Sequence, residues 1–236
     1  MRLHIIRHGD PDYQNDSLTP RGQQEAEALV SRLAALPLTA IYSSPLGRAK
    51  KTAEPTAKNL ELPINVLTWA REVELPTVEP GTDLLSKKVV VWNLPPHMLK
   101  ECEQQEGGWM NAPVLSPPKA ALAFDEIRAG WRDLVGQFGV FEKDGHWFTT
   151  KKLPASDIAL FCHHGLGLAL LSVLMEVPAT LLWRSMWLAP ASVTTVLFEQ
   201  MGQSQVNLRI TSVGDTGHLH KAGLSYNPAG LCYNAR

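Results

Sequence analysis

Two short apolar runs in this chain end in histidine and glycine, and arginines stand near enough in sequence to serve the same site. Leu3-His4-Ile5-Ile6 runs into Arg7-His8-Gly9, and Asp157-Ile158-Ala159-Leu160-Phe161-Cys162 runs into His163-His164-Gly165. A neutral imidazole is a competent nitrogen nucleophile near pH 7, provided a hydrogen bond at its other nitrogen holds one tautomer. A carbonyl in the Gly9 region is the expected partner for His8. Arg7 precedes that histidine, and Arg48 falls in the first turn of the helix expected after a second strand. Two guanidinium forks and two imidazoles at one point make an anion site, and the forks suit phosphate oxygens best. His163 stays open between a pocket group and a polar filler turned away. A metal reading of His163-His164, or of His218 and His220, is disfavoured. Neighbouring strand residues point to opposite faces, and no carboxylate or cysteine spacing completes a site.

The elements that must position these residues alternate. Leu3 to Ile6 reads as a buried strand, residues 10–18 as a polar loop, and Thr19-Pro20 as an N-cap with proline at the first helical position. Ala26, Leu29, Val30 and Leu33 then recur on one helical face. Ala40-Ile41-Tyr42 is a second strand, and Ser43-Ser44-Pro45 is expected to cap and open a second helix with Leu46, Ala49, Ala53 and Leu60 inward. Late in the chain, Asp157 to Cys162 is a strand and Leu166 to Val177 an apolar helix closed by Pro178. Val193 to Phe198 and Val206 to Ile210 are further strands. Strands joined by helices pair in parallel, and their carboxyl ends share the edge where ligands bind, so His8 and His164 are expected to share one pocket. The expected fold is α/β, a three-layer sandwich with a mostly parallel sheet and helices on both faces.

The chain reads as a single domain over residues 1–236 with a cap-like insertion at about 76–155. Eight of the seventeen prolines and four of the seven tryptophans (Trp92, Trp109, Trp131, Trp147) fall there, which breaks the strand–helix alternation. A helix is expected over residues 120–138, where Phe124, Ile127, Trp131, Leu134 and Phe138 keep helical spacing. Its tryptophans read first as core, with some lining the pocket. His4, mid-strand, reads as structural, and Lys50-Lys51 and Lys87-Lys88 as solvated.

Composition narrows the partners. Apolar residues make up 44% and charged residues 19%, with a formal net charge of -1, so nothing favours nucleic acid or an anionic membrane. No apolar run approaches membrane-spanning length. Met1-Arg2-Leu3-His4-Ile5-Ile6 is too short and too promptly charged for a signal peptide. Cys102, Cys162 and Cys232 are odd in number and widely spaced, which is no disulfide framework, and the expected setting is reducing and cytoplasmic. The sequence sets no oligomeric state.

Arg7-His8-Gly9, Leu18-Thr19-Pro20-Arg21-Gly22, the block from Ser43-Ser44-Pro45 through Arg48-Ala49 to Glu54, and the distal His164-Gly165 together resemble the histidine phosphatase superfamily. That superfamily includes the cofactor-dependent phosphoglycerate mutases. Gly214-Asp215-Thr216-Gly217-His218-Leu219 resembles the closing segment of many of its phosphatase members. The resemblance covers about residues 1–74 and 155–220 and lapses through the insertion. It implies that His8 attacks phosphorus and forms a phosphohistidine, while Arg7, Arg48 and a protonated His164 bind the phosphoryl oxygens, with no metal and no cofactor. It implies an acid in the Ala70-Arg71-Glu72-Val73 segment, hence Glu72 with Glu74 as the alternative, and a polar phosphate contact from Gln14 or Asn15. Two positions depart from the common pattern: Asp10-Pro11 stands where many members have Glu-Thr, and His163 where many have Ser or Thr. The implied function is hydrolysis of a phosphomonoester, either a small phosphorylated metabolite or a phosphoprotein. Mutase-type phosphotransfer and a catalytically silent phospho-ligand or protein binder are the alternatives. Residues 72–95 lack the run of arginines and tyrosines that mutases carry, which favours hydrolysis.

Overall fold

The run beginning at Leu3 is a strand buried along nearly its whole length, and the sheet is assembled around it. The computed structural model describes residues 1–76, 89–228 and 230–231; Lys87-Lys88 and Cys232 lie outside the described residues. In chain order the first elements are β1 (Arg2–Arg7), a small hairpin of β2 (Pro11–Asp12) and β3 (Ser17–Leu18), α1 (Pro20–Leu33), β4 (Leu38–Ser43), α2 (Gly47–Leu60) and β5 (Ile64–Val66). The middle holds α3 (Pro96–Glu103), α4 (Pro117–Gly136), and the strands β6 (Val140–Lys143) and β7 (His146–Thr149). The last part comprises β8 (Asp157–Cys162), α5 (His164–Met175), α6 (Ala179–Ser185), β9 (Val193–Met201), β10 (Gln205–Asp215) and α7 (Gly217–Lys221). No described helix is long and apolar enough to cross a membrane.

Eight strands form one mixed sheet in the order β5-β4-β8-β1-β9-β10-β7-β6. The half from β5 to β1 is parallel, as helical crossovers require. The other half is antiparallel, because its members are hairpins. In the β6–β7 turn, Asp144 and Gly145 both take positive φ, 51° and 75°, the backbone a two-residue hairpin turn demands. Register pairs Arg7 with Cys162, so His8 and His163 follow the ends of adjacent parallel strands.

Alternation along β1 and β8 divides the core in two. Ile6 and Phe161 face Leu29 and Leu33 of α1, Ala53 of α2 and Leu219 of α7. Ile5 and Leu160 face the other layer, with Leu168 and Leu170 of α5. Each fully buried leucine contributes about 1.5–3 kcal/mol relative to an exposed one. Leu99, Leu115, Phe124 and Trp131 belong to this second cluster, so the Pro- and Trp-rich stretch packs onto the sheet. Trp131 meets the edge of Trp147, and Trp109 meets Phe124. His4 is structural: Nε2 lies 3.0 Å from Asp157 Oδ2 and Nδ1 3.1 Å from Thr195 Oγ1.

The start of α1 follows the sequence signal, with Thr19 Oγ1 accepting from the Gly22 amide at 3.1 Å. The start of α2 does not. Ser44 accepts from Leu46 instead, and the helix opens two residues late at Gly47, whose amide donates to Asp16 Oδ2 at 2.5 Å. The cap comes from a carboxylate far away in sequence, which relieves the serines of that task. Gly22 is required by close approach, since a Cβ there would lie 2.2 Å from the Asp10 carbonyl oxygen. Gly22→Ala is therefore expected to lower stability by about 1–3 kcal/mol, read as a drop in the urea unfolding midpoint; an unchanged midpoint would mean that the loop after β1 yields freely.

Candidate active site

β1 delivers Arg7 and His8 to the carboxyl edge, and β8 delivers His163 and His164 beside them. All four are buried. The main chain of His8 is held on both sides: its amide donates to the Cys162 carbonyl at 2.9 Å, and its carbonyl accepts from Ala191 at 3.1 Å. Nδ1 of the ring lies 2.7 Å from the Gly9 carbonyl oxygen, the partner anticipated near that position. A carbonyl can only accept, so Nδ1 carries the proton and Nε2 keeps its lone pair.

His164 is held the opposite way. Its Nδ1 accepts from the Leu188 amide at 3.4 Å, a long contact whose direction is unambiguous because an amide N–H can only donate. The ring proton therefore sits on Nε2. The Leu188 carbonyl accepts from Arg7 Nη1 at 2.6 Å, so one residue's backbone orients both the arginine and the second histidine.

Burial, and then the Arg7 charge, hold His164 down to a pKa of about 3. The expectation of a protonated His164 is thus corrected: the ring is neutral and presents an Nε2–H donor. His8 is pushed well below its ordinary value by burial first, then by Arg7, with smaller contributions from Arg48 and His164 against the opposing Gly9 hydrogen bond. Its lone pair is available, surrounded by cations close enough to suppress protonation. Such an arrangement can accept an electrophile at Nε2 while stabilising negative oxygens around it.

Arg48, in the first turn of α2, has Nη1 2.8 Å from Asp16 Oδ1, and its guanidinium lies over the Tyr13 ring at 5.4 Å. Thr52 ties α2 to the loop after β1, donating to the Arg48 carbonyl at 2.7 Å and accepting from the Gly9 amide at 3.0 Å. Buried Glu25 accepts from the Asp10 amide and from Arg21 Nε.

The two candidate acids part company. Glu72 sits at the start of α5, where Oε1 accepts from Leu166 at 2.8 Å and Val73 at 3.0 Å, and Oε2 from Gly165 at 3.2 Å. Burial raises its pKa, and these amides and Arg7 offset only part of that. Gly165 makes the approach possible, since a Cβ there would come within 2.8 Å of Glu72 Oε1 and 2.7 Å of Trp92 Cζ3. Glu74 is exposed and pairs with Arg71 at 2.7 Å. His163 points inward, with Nε2 2.7 Å from Ser44 Oγ and its ring 5.2 Å from that of His8. Gln14 and Asn15 are exposed, their amides turned onto Asp12, and Asn15 Nδ2 donates to the same side chain at 2.7 Å.

Leu188, Asp16 and Thr52 escaped sequence reasoning. Leu188 acts through its backbone, which carries no residue-type signal, and Asp16 is one of several acids in a polar loop.

Residues 3–89 match the family model described as histidine phosphatase superfamily (branch 1). That match takes in β1 to β5, the part of the chain that carries Arg7, His8 and Arg48. The chain is 24% identical over 237 residues to a probable phosphoglycerate mutase of Salmonella paratyphi A, covering 95% of this chain and 97% of that one. Its fold matches a phosphoserine phosphatase of Entamoeba histolytica, solved with 3-phosphoglyceric acid, at TM-score 0.63 and 21% identity, over 92% of this chain and 98% of that one. It also matches a mycobacterial glucosyl-3-phosphoglycerate phosphatase, solved with VO3, at TM-score 0.59 and 23% identity, over 89% and 97%.

The buried neutral His164 gives a pH signature. Between its ordinary value of 6.5 and about 3, the unfolded chain binds a proton at this ring that the folded chain refuses, so stability falls as pH drops through that window. In urea titrations His164→Gln should flatten part of that slope; an identical slope in the variant would show that the folded ring accepts the proton.

Proposed function

We propose that this protein is a phosphomonoester hydrolase working through a phosphohistidine on His8, without a metal ion. The observation that carries this reading is the pair of opposed tautomers: a bare Nε2 on His8 and an Nε2–H on His164, with Arg7 and Arg48 acting on the same ring. His8 Nε2 attacks phosphorus in line, and the bond from phosphorus to the ester oxygen breaks. Arg7, Arg48 and the His164 N–H take the equatorial oxygens, where charge must be stabilised in the transition state. As negative charge arrives, His164 becomes easier to protonate, but its role as donor does not wait for that.

The leaving oxygen receives its proton from Glu72. Oε2 of this carboxyl has only the 3.2 Å contact to Gly165, while Oε1 takes two shorter ones, so Oε2 is the oxygen suited to carry a proton. Burial favours the neutral acid. In the second half, water attacks the phosphohistidine, the phosphorus–nitrogen bond breaks, and Glu72 takes the water's proton. Free phosphate and the original enzyme result.

Hydrolysis is favoured over mutase-type transfer because residues 72–95 contain no arginine and no tyrosine with which to hold a second phosphate. The reading is tested by 4-nitrophenyl phosphate turnover in the presence of a chelator, with conversion of 3-phosphoglycerate to its isomer followed in parallel. Hydrolysis without isomerisation is expected. His8→Ala should abolish both turnover and the acid-labile phosphoenzyme; a variant that still turns over at the wild-type rate would remove His8 as nucleophile. Glu72→Gln should slow alkyl phosphates by about 10²–10⁴-fold, as loss of a general acid does, and aryl phosphates much less because their leaving groups need little protonation. Glu74→Gln should stay near wild type, and equal losses in the two glutamine variants would refute the assignment of the acid.

A further inference from the structure

Beside His164 lies a cleft of about 240 Å³ lined by Trp92, Trp183, Met186 and Trp187, with Arg184 among its polar residues. It is continuous with the site already described. The Trp92 and His164 rings are 6.5 Å apart, and a Cβ placed on Gly230 in the cleft wall would lie 3.3 Å from Arg7 Nη2. Trp92 and Glu72 Oε1 both close on Gly165, so an ester group lying along the Trp92 side of this wall stays beside the proposed proton donor.

The chemistry of the lining selects among ester groups. Trp92 and Trp183 have ring centroids 6.3 Å apart at an interplanar angle of 55°, and the partly buried Trp187 continues the wall. Flat rings gain offset or edge-on contacts on such surfaces. A carboxylate fares badly there. Among the described lining residues the one fixed cation is Arg184, and Glu103 already engages it, with Nε and Nη2 at 3.0 and 3.3 Å from the two carboxylate oxygens. A second carboxylate entering the cleft would lose water, meet an arginine already neutralised, and lie near an acid.

We propose that the tryptophan-walled cleft is the leaving-group subsite and that it selects uncharged, flat aromatic phosphate esters over carboxylated ones. This rests on the phosphatase reading above, and it sets the chain apart from structural neighbours solved in complex with 3-phosphoglyceric acid or phosphoserine.

The test compares kcat/KM for 1-naphthyl phosphate and 3-phosphoglycerate in wild type, Trp187→Ala and Glu103→Gln, each first shown to be folded by its thermal melt. Wild type is expected to prefer the naphthyl ester. Trp187→Ala should lower that preference about tenfold, mostly through KM, the size of one aromatic contact of about 1.4 kcal/mol. Glu103→Gln, which frees Arg184, should raise kcat/KM for 3-phosphoglycerate severalfold. A wild-type preference for 3-phosphoglycerate would overturn the proposal. So would an unchanged ratio in folded Trp187→Ala, or no gain in Glu103→Gln. If wild type hydrolyses neither ester nor 4-nitrophenyl phosphate, it is the hydrolase reading that fails.

Discussion

A backbone carbonyl and a backbone amide decide where the protons sit on two buried histidines, and the fold is arranged to deliver both. Gly9 offers the carbonyl to His8, and Leu188 offers the amide to His164. Backbone groups are suited to this task because a carbonyl cannot donate and an amide N–H cannot accept, so each neutral ring is held in one tautomer. A side-chain partner would itself titrate or rotate. Burial then keeps both rings neutral among arginines, which in water would be a weak effect and here is a strong one.

The two halves of the sheet divide the labour. The parallel half brings His8 and His163 to one edge through the Arg7–Cys162 register, which no hairpin could do for residues so distant in sequence. The antiparallel half joins at β1 through β9, and the loop before β9 carries Leu188 and Ala191 over that edge. Half of the site's geometry thus comes from strand ends and half from the segment that enters the hairpin.

What could be read from residue types depended on how local its cause was. Thr19-Pro20 is a complete local signal, and α1 begins there. Ser43-Ser44-Pro45 carries the same letters but misleads, because Asp16 satisfies the Gly47 amide from a different loop and Ser44 is drawn to His163. The Asp144-Gly145 hairpin was written in the sequence, but it falls in the stretch set apart as an insertion, where no strands were expected. The grouping of His8, Arg7, Arg48 and His164 was legible because it follows from residue type and strand ends, which the sequence displays. Leu188 was not, since any residue supplies the same peptide group. Glu72 became separable from Glu74 only when the start of α5 was seen to lie against it.

Leu188 follows Trp187 directly in the chain, so one peptide bond joins a wall of the ester cleft to the residue that orients Arg7 and His164. Of the cleft's tryptophans, Trp187 is thus the one adjacent in sequence to a group that sets the His164 proton. A substitution that reshapes the wall at position 187 also leans on the proton-setting amide, and its effect will combine non-additively with changes at Arg7 or His164. Among descendants of such a sequence, new ester preferences would be reached more readily through Trp92 or Trp183, whose neighbours in the chain hold no part of the reacting centre. Drift in specificity would then run along α6 and the segment before α3, and spare the segment that leads into β9.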